Sequence, residues 1–245
     1  KKVIKSKKAY RLKDEKYIDD RLKVIEGIVS INDIKVKAKE LDLTITEYLT
    51  SVLIKSIGGL KSKSKRPIVI TIPVNLRKYY PTYTVRNFFS VVNIDYLYNN
   101  DSFKDITKSV KKSFKEKLDR ENIKDKMNSM IKLEDIFIVR LIPVFIKDLV
   151  LKIACNIENK YQTMTLSNIG IINMPDVYKK YIDYFSVFTS TSKIQMCMCS
   201  YNDKMVISFS SKFVNSEIEK NFFKFLSKVG IDVIINTNDY GDYNE

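Results

Sequence analysis

The chain has 245 residues, of which 44% are hydrophobic and 11% aromatic, enough to bury a sizeable core in one large domain or two small ones and to exclude a largely disordered chain. Six Gly and five Pro favour long regular elements joined by short turns over a loop-rich secreted scaffold. Lys and Arg number 43 against 29 Asp and Glu, a formal charge of +14 with much of the excess in residues 1–16 and 61–66. Such a surface attracts polyanions; it fits a solvated lysine coat, a phosphate-bearing ligand or nucleic acid, and no nucleic-acid motif supports the last.

In chain order, a helix is expected after Ser30, with Asp33 three residues on and an apolar stripe of Ile34, Ala38 and Leu41. Thr44 and Glu47 form a capping box for a second helix whose face is Tyr48, Leu49, Val52, Leu53 and Ile57 and whose stop is Gly58-Gly59, so the two should pack as a hairpin. After the basic linker at 61–66, residues 67–74 read as a buried strand. A loop with Tyr79, Tyr80, Pro81 and Tyr83 leads to a second strand at about 87–97.

Asp101 is placed to cap a helix with Phe103, Ile106, Val110, Phe114 and Leu118 inward, followed by a polar surface stretch at 119–126. Residues 134–158 read as one or two helices broken near Pro143, and their apolar density implies burial. A strand at 161–166 ends at Ser167-Asn168-Ile169-Gly170, and a hairpin at 193–210 turns at Asn202-Asp203. The last helix takes Ser216 as cap and Glu219 at the box position, buries Ile218, Phe222, Phe225, Leu226 and Val229, and stops at Gly230. Residues 231–235 add an edge strand. The whole is an α+β fold, a mixed β-sheet covered by helices, in a single domain 1–235 in which 1–29 is a linker leading into a strand; 236–245 is expected to be a disordered tail.

The chain has no histidine. Cys155, Cys197 and Cys199 therefore lack a zinc-ligand set and an imidazole partner, and all three are expected to be packing thiols. No apolar run is long enough for a membrane span and no secretory pattern is present, so a cytoplasmic location is expected; a Lys at position 1 suggests that something is missing upstream.

Four places carry a resemblance: residues 39–49 (KELDLTITEYL), Pro73-Val74-Asn75-Leu76-Arg77, Arg86-Asn87-Phe88-Phe89, and Ser167-Asn168-Ile169-Gly170 leading to Met174-Pro175. With them the chain resembles the C-terminal half of the condensation-like, chloramphenicol-acetyltransferase-like acyltransferases, of the alcohol acetyltransferase type. The resemblance runs through nearly the whole chain, and the second and third segments are its more specific parts. It implies a chloramphenicol-acetyltransferase-like αβ half, with the reaction in a tunnel between two such halves. The family's motif His-His-x-x-x-Asp-Gly lies in the other half and has no match here, so no catalytic residue is expected within this chain.

Acyl transfer from a thioester needs a base poised near neutral pH, and Lys and Tyr titrate too high to replace a histidine unless strongly perturbed. What the resemblance implies for this chain is support. Arg77 would form a salt bridge with the aspartate of the missing motif, the alternative being an arginine that snorkels from a strand end. Asn87, Ser167, Asn168 and Gly170 would line the tunnel or bind the acyl donor; ordinary turn chemistry and a strand-end hydrogen bond account for them equally. Tyr79, Tyr80 and Tyr83 either line the tunnel mouth or pack as aromatics. The implied co-substrate is coenzyme A or a pantetheine thioester, with no permanently bound cofactor and no metal. The implied partners are the N-terminal half, in the same polypeptide or a second chain, and acyl-CoA or an acyl carrier protein. The other class left open is a non-catalytic binding or scaffold protein with a degenerate acyltransferase fold.

Overall fold

The computed structural model describes residues 8–60, 65–85, 87–134, 143–190 and 193–239. Its frame is a mixed seven-stranded sheet of β1 (Lys23–Ser30), β2 (Ile68–Asn75), β3 (Phe89–Tyr96), β4 (Met164–Ile171), β5 (Gln195–Tyr201), β6 (Lys204–Ser211) and β7 (Ile234–Thr237). The spatial order is β3-β2-β4-β5-β6-β1-β7, with β4 parallel to both β2 and β5 and the other pairs antiparallel. The 1–29 segment thus ends in a full strand, which lies between β6 and β7 rather than at an edge.

Helices α1 (Ile31–Glu40), α2 (Ile45–Gly58), α3 (Phe103–Lys117) and α7 (Glu217–Lys228) share one core with the sheet, α2 packing against both α3 and α7; the short α6 (Asp176–Lys179) follows β4. The capping signals hold for the first pair. Ser30 Oγ accepts from Asp33 N, Thr44 Oγ1 accepts from Glu47 N at 3.3 Å, and Glu47 Oε2 accepts from Thr44 N at 2.7 Å. Leu41, expected in the stripe, is the α1 C-cap and is exposed. Replacing Thr44 with Ala should cost about 1 kcal/mol and lower Tm by roughly 2–4 °C in a thermal melt, because the backbone N–H of Glu47 loses its acceptor while the Glu47 carboxylate still takes the N–H of residue 44.

Close packing on this face is set by Gly27. A Cβ there would meet the Phe223 ring at 2.1 Å, so the missing side chain is what lets α7 lie on β1. Phe209, Phe222 and Phe223 then pair edge to face at 5.2–5.6 Å. Phe223 is buried where Phe225 was expected; Phe225 is partly buried and stacks on Phe103. On the opposite face, residues 182–190 run across the sheet, with Ser210 Oγ donating to Thr189 O, Cys199 Sγ to Phe185 O, and Phe185 packed on Tyr201. Cover on both faces explains why β5 and β6 are buried along almost their whole length.

Several expectations are corrected. Ser102, not Asp101, caps α3; Asp101 instead accepts from the Tyr96 hydroxyl and from Asn99 N. The stretch 119–126 is exposed as expected except for Ile123, which is buried, and it forms the start of helix α4 (Arg120–Glu134). The Ser-Asn-Ile-Gly segment is strand, not turn, and β4 runs on to Ile171. Asn236 and Thr237, assigned to the tail, pair with Glu26 and Ile25; residues 240–245 lie outside the described residues, as do 1–7, 61–64 and Arg86.

Ser216 makes no cap hydrogen bond. It accepts from Lys23 Nζ at 2.6 Å, and that buried ammonium also donates to Val214 O and Asn215 O. Glu219, at the expected box position, is 1% exposed, and neither carboxylate oxygen has a hydrogen-bond partner. Burial pushes its carboxyl above the ordinary range, an effect that the Lys23 charge opposes.

The largest departure is the helix α5 (Val144–Glu158). It begins directly after Pro143, and residues 135–142 before it lie outside the described residues. Its apolar density promised burial, yet no residue of it is buried: Phe145 is 73% exposed, Leu149 59% and Ile153 52%. Its polar residues Lys147, Asp148, Lys152, Asn156 and Glu158 share one side, and an apolar face as broad as the one opposite is normally covered by protein or lipid. Cys155 sits on it and is exposed, which corrects its reading as a packing thiol.

Candidate functional site

The sequence-predicted residues gather at one end of the sheet. Because β2 and β4 are parallel, the end of β2 with its following turn, the start of β3 and the end of β4 all lie on the same side. The ladder between β2 and β4 is short, pairing Ile70 with Met164 and Thr71 with Thr165. Val69 turns both its N–H and its C=O toward the β4 side, where they bond Thr163, so the two-residue period turns Pro73 the same way. Proline has no N–H to donate, and the strands part beyond Thr71.

At the end of β2 a short turn of 3-10 helix (Leu76–Lys78) follows, with Asn75 Oδ1 accepting from Arg77 N at 3.0 Å. Arg77 is half-buried, and its Nη2 donates to Thr84 O at 2.7 Å, so the guanidinium holds the 76–84 loop in shape. Asn87 is exposed just before β3. Tyr79 is half-buried and donates its hydroxyl to Leu118 O at 3.3 Å, Tyr80 is half-buried, and Tyr83 is fully exposed.

At the end of β4 the register against β5 slips, Asn168 facing Met198 and Gly170 facing Cys199, so that Ile169 is the extra residue of a bulge and is exposed. Gly170 takes φ +90°, which the absence of a Cβ permits. Asn168 fixes the bulge from both sides: its Oδ1 accepts from Gly170 N at 2.9 Å, and its Nδ2 donates to Thr46 Oγ1 at 3.0 Å in the first turn of α2. Ser167 is half-buried beside it.

The sequence reading missed Thr46 and the consequence of Pro73. A proline within an otherwise β-branched run signals a lost ladder bond, so the parting of β2 from β4 was available from the sequence.

Chemically, this end offers amide, hydroxyl and guanidinium groups that can bind and orient, and no group poised to take a proton near pH 7. Cys197 and Cys199 are not substitutes, since burial raises both thiols above their ordinary value and keeps them protonated. Among the described residues no cluster of three or more acidic or Cys side chains could hold a metal ion, and no helix is long and apolar enough to cross a membrane.

No family model matches the sequence, and no curated protein matches it. Solved structures match the fold at probability 1.00. The nonribosomal peptide synthetase FmoA3 in its AMPPNP-bound form gives a TM-score of 0.61 at 11% identity, over 92% of this chain and 23% of that one. The cyclization-docking bidomain of the EpoB nonribosomal peptide synthetase from Sorangium cellulosum gives 0.53 at 14% identity, over 85% and 42%. A structure described for condensation domain-mediated chain release from the enacyloxin polyketide synthase gives 0.50 at 10% identity, over 84% and 41%.

The chain has a condensation-like fold. It spans 23–42% of the length of those condensation-like chains. The α+β class, with a mixed sheet covered by helices, is the one read from the sequence; of the segments that carried the resemblance, 73–77, 87–89 and 167–170 fall at this end of the sheet, and 39–49 falls at the junction of α1 and α2.

Proposed function

We infer that this chain supplies the C-terminal, donor-side half of a thioester-dependent O- or N-acyltransferase, whose catalytic histidine motif resides in an N-terminal half of the same polypeptide or of a second chain. The observation that carries this reading is α5: eight of its residues are large, apolar and 40–73% exposed, more than a soluble helix leaves uncovered without a partner. The absence of histidine from the chain supports the same division of labour. In it Arg77, already anchored to Thr84 O, would grip the motif's aspartate, and Asn87, Ser167, Asn168 and Gly170 would face the thioester of coenzyme A or of a carrier protein.

A second reading, a non-catalytic scaffold that retains the fold, is favoured by the lack of any general base at this end. Purifying the tagged chain from its own cells and subjecting it to native mass spectrometry separates the two. A bound chain carrying the histidine motif, together with thioester consumption by the complex, supports the acyltransferase half. A clean monomer without turnover supports the scaffold. In the active complex, Arg77→Lys should lower kcat by about 10- to 100-fold, the worth of a charged hydrogen bond at the transition state, with little change in KM; unchanged turnover would sink the proposed role.

A further inference from the structure

The basic residues of the N-terminal segment converge on a cavity that the acyl-transfer reading does not use. It measures about 520 Å³ and lies at the opposite end of the sheet, where β4 and β5 begin. From Thr163 in its lining the chain advances five to seven residues along β4 to the Asn168–Gly170 bulge, roughly 17–23 Å at strand rise, so the two places are distinct. Its lining contains Arg11, Lys13, Lys16, Lys160 and Lys193 against one acid, Asp14.

Two of the cationic groups are held in position: Lys193 Nζ donates to Asn159 O at 2.8 Å and Gln162 O at 2.9 Å, and Lys16 stands over the Phe213 ring. The backbone of Lys160 is tied to the N-terminal segment, Ala9 N donating to Lys160 O. Burial, and after it the neighbouring Arg11 charge, hold the Lys193 amine down to about 8. A concave site with five cations against one acid focuses a positive field on a compact anion. Its volume falls within the roughly 300–1,000 Å³ of small-molecule sites, which suits a ligand smaller than a nucleic acid or a protein surface. Arg11 offers a planar fork and the lysines point charges, the pairing that phosphate oxygens accept.

We propose that this cavity binds a small phosphoanhydride, a pyrophosphate or nucleoside diphosphate group, at a site separate from the acyl-transfer end. The test is isothermal titration of the full chain with inorganic pyrophosphate, ADP and sulfate. Saturable one-to-one binding of pyrophosphate or ADP, at least tenfold tighter than sulfate, is expected. The double variant Arg11→Gln/Lys160→Gln should weaken it at least tenfold, while Lys108→Gln/Lys112→Gln on α3, an equal loss of charge elsewhere, should leave it unchanged.

Which phosphate source is preferred follows from the two ligands: ADP binding well above pyrophosphate identifies a nucleotide site, and equal affinity a site for the anhydride alone. A readout independent of the variants is labelling of Lys193 by acetic anhydride at pH 8, followed by peptide mass spectrometry, which pyrophosphate should slow at least fivefold. Absence of saturable binding at millimolar pyrophosphate, equal weakening by the α3 pair, or Lys193 labelling indifferent to ligand overturns the proposal.

Discussion

Glu219→Gln is expected to stabilise the protein at neutral pH, and Lys23→Met to destabilise it severely. Glu219 is buried and neither carboxylate oxygen has a hydrogen-bond partner, so its ionised form is opposed by burial and favoured only in part by its own nearby backbone N–H and by the charge of Lys23. A neutral amide of the same shape removes that desolvation cost, worth about 1–3 kcal/mol, and Tm should rise by several degrees at 2–4 °C per kcal/mol for a chain of this size. Lys23→Met does the reverse. It strips the donor from Val214 O, Asn215 O and Ser216 Oγ and leaves Glu219 uncompensated, a loss of about 3–5 kcal/mol.

The pH dependence fixes the sign independently. The folded carboxyl of Glu219 is raised above its unfolded value, so the native state retains a proton that the unfolded chain has released. The contribution is complete below the unfolded value and is lost as pH rises through the raised folded one. Lys23 acts in the opposite sense at alkaline pH: its folded value is lowered by burial, so its contribution grows as pH rises through that value. Urea unfolding of the wild type should therefore show stability falling from the acid side toward neutrality, and Glu219→Gln should flatten that fall. A variant that unfolds earlier than the wild type at pH 7 would show that the carboxylate is bonded in solution, by water or otherwise.

Local signals were legible in the sequence wherever one residue type suits one backbone position. The Thr44–Glu47 box, the Ser30 cap and the Asn202-Asp203 hairpin turn all rest on chemistry within four residues, and each formed as read. What failed depended on distant partners. Ser216 has the spacing of a cap, but Lys23, 193 residues away, takes its hydroxyl. Asp101 and Ser102 are both acceptable caps, and the Tyr96 hydroxyl decides between them by occupying Asp101. β1 was only hinted at, because Gly27 and Glu26 break its apolar alternation for reasons that lie in α7 and in residues 182–190: the first makes room for Phe223, and the second accepts from Ser186 and Ser208.

The candidate site divides the same way. The resemblance picked out Arg77, Asn87, Ser167, Asn168 and Gly170, and topology brings them to one end of the sheet. Their local roles were not legible. Asn168 reads as a turn former and is instead the brace between a bulge and the first turn of α2, a contact across 122 residues. Arg77 reads as a strand-end cation and is instead tied to Thr84 O. Both side chains therefore spend part of their hydrogen-bonding capacity within the chain, bracing the loop and the bulge on which they sit.

The burial expected of α5 is the misreading with the greatest consequence, and it yields the sharpest test of the proposed function. Phe145, Leu149 and Ile153 fall four residues apart, forming one stripe, and each is more than half exposed. The triple variant Phe145→Ser/Leu149→Ser/Ile153→Ser should therefore change the stability of this chain by no more than about 0.5 kcal/mol, whereas Leu53→Ala, in the fully buried α2, should cost about 2–5 kcal/mol. Association should respond in the opposite way. Burying three such side chains against a second αβ half is worth roughly 1.5–3 kcal/mol each, so the triple variant should weaken that assembly by at least a thousandfold. In sedimentation velocity under reducing conditions, which silence the exposed Cys155, the wild-type chain alone should self-associate as its concentration rises, and the triple variant should remain monomeric. If the triple variant instead loses several kcal/mol of its own stability, α5 belongs to the core of this chain, and the exposed face that carries the acyltransferase-half reading is gone.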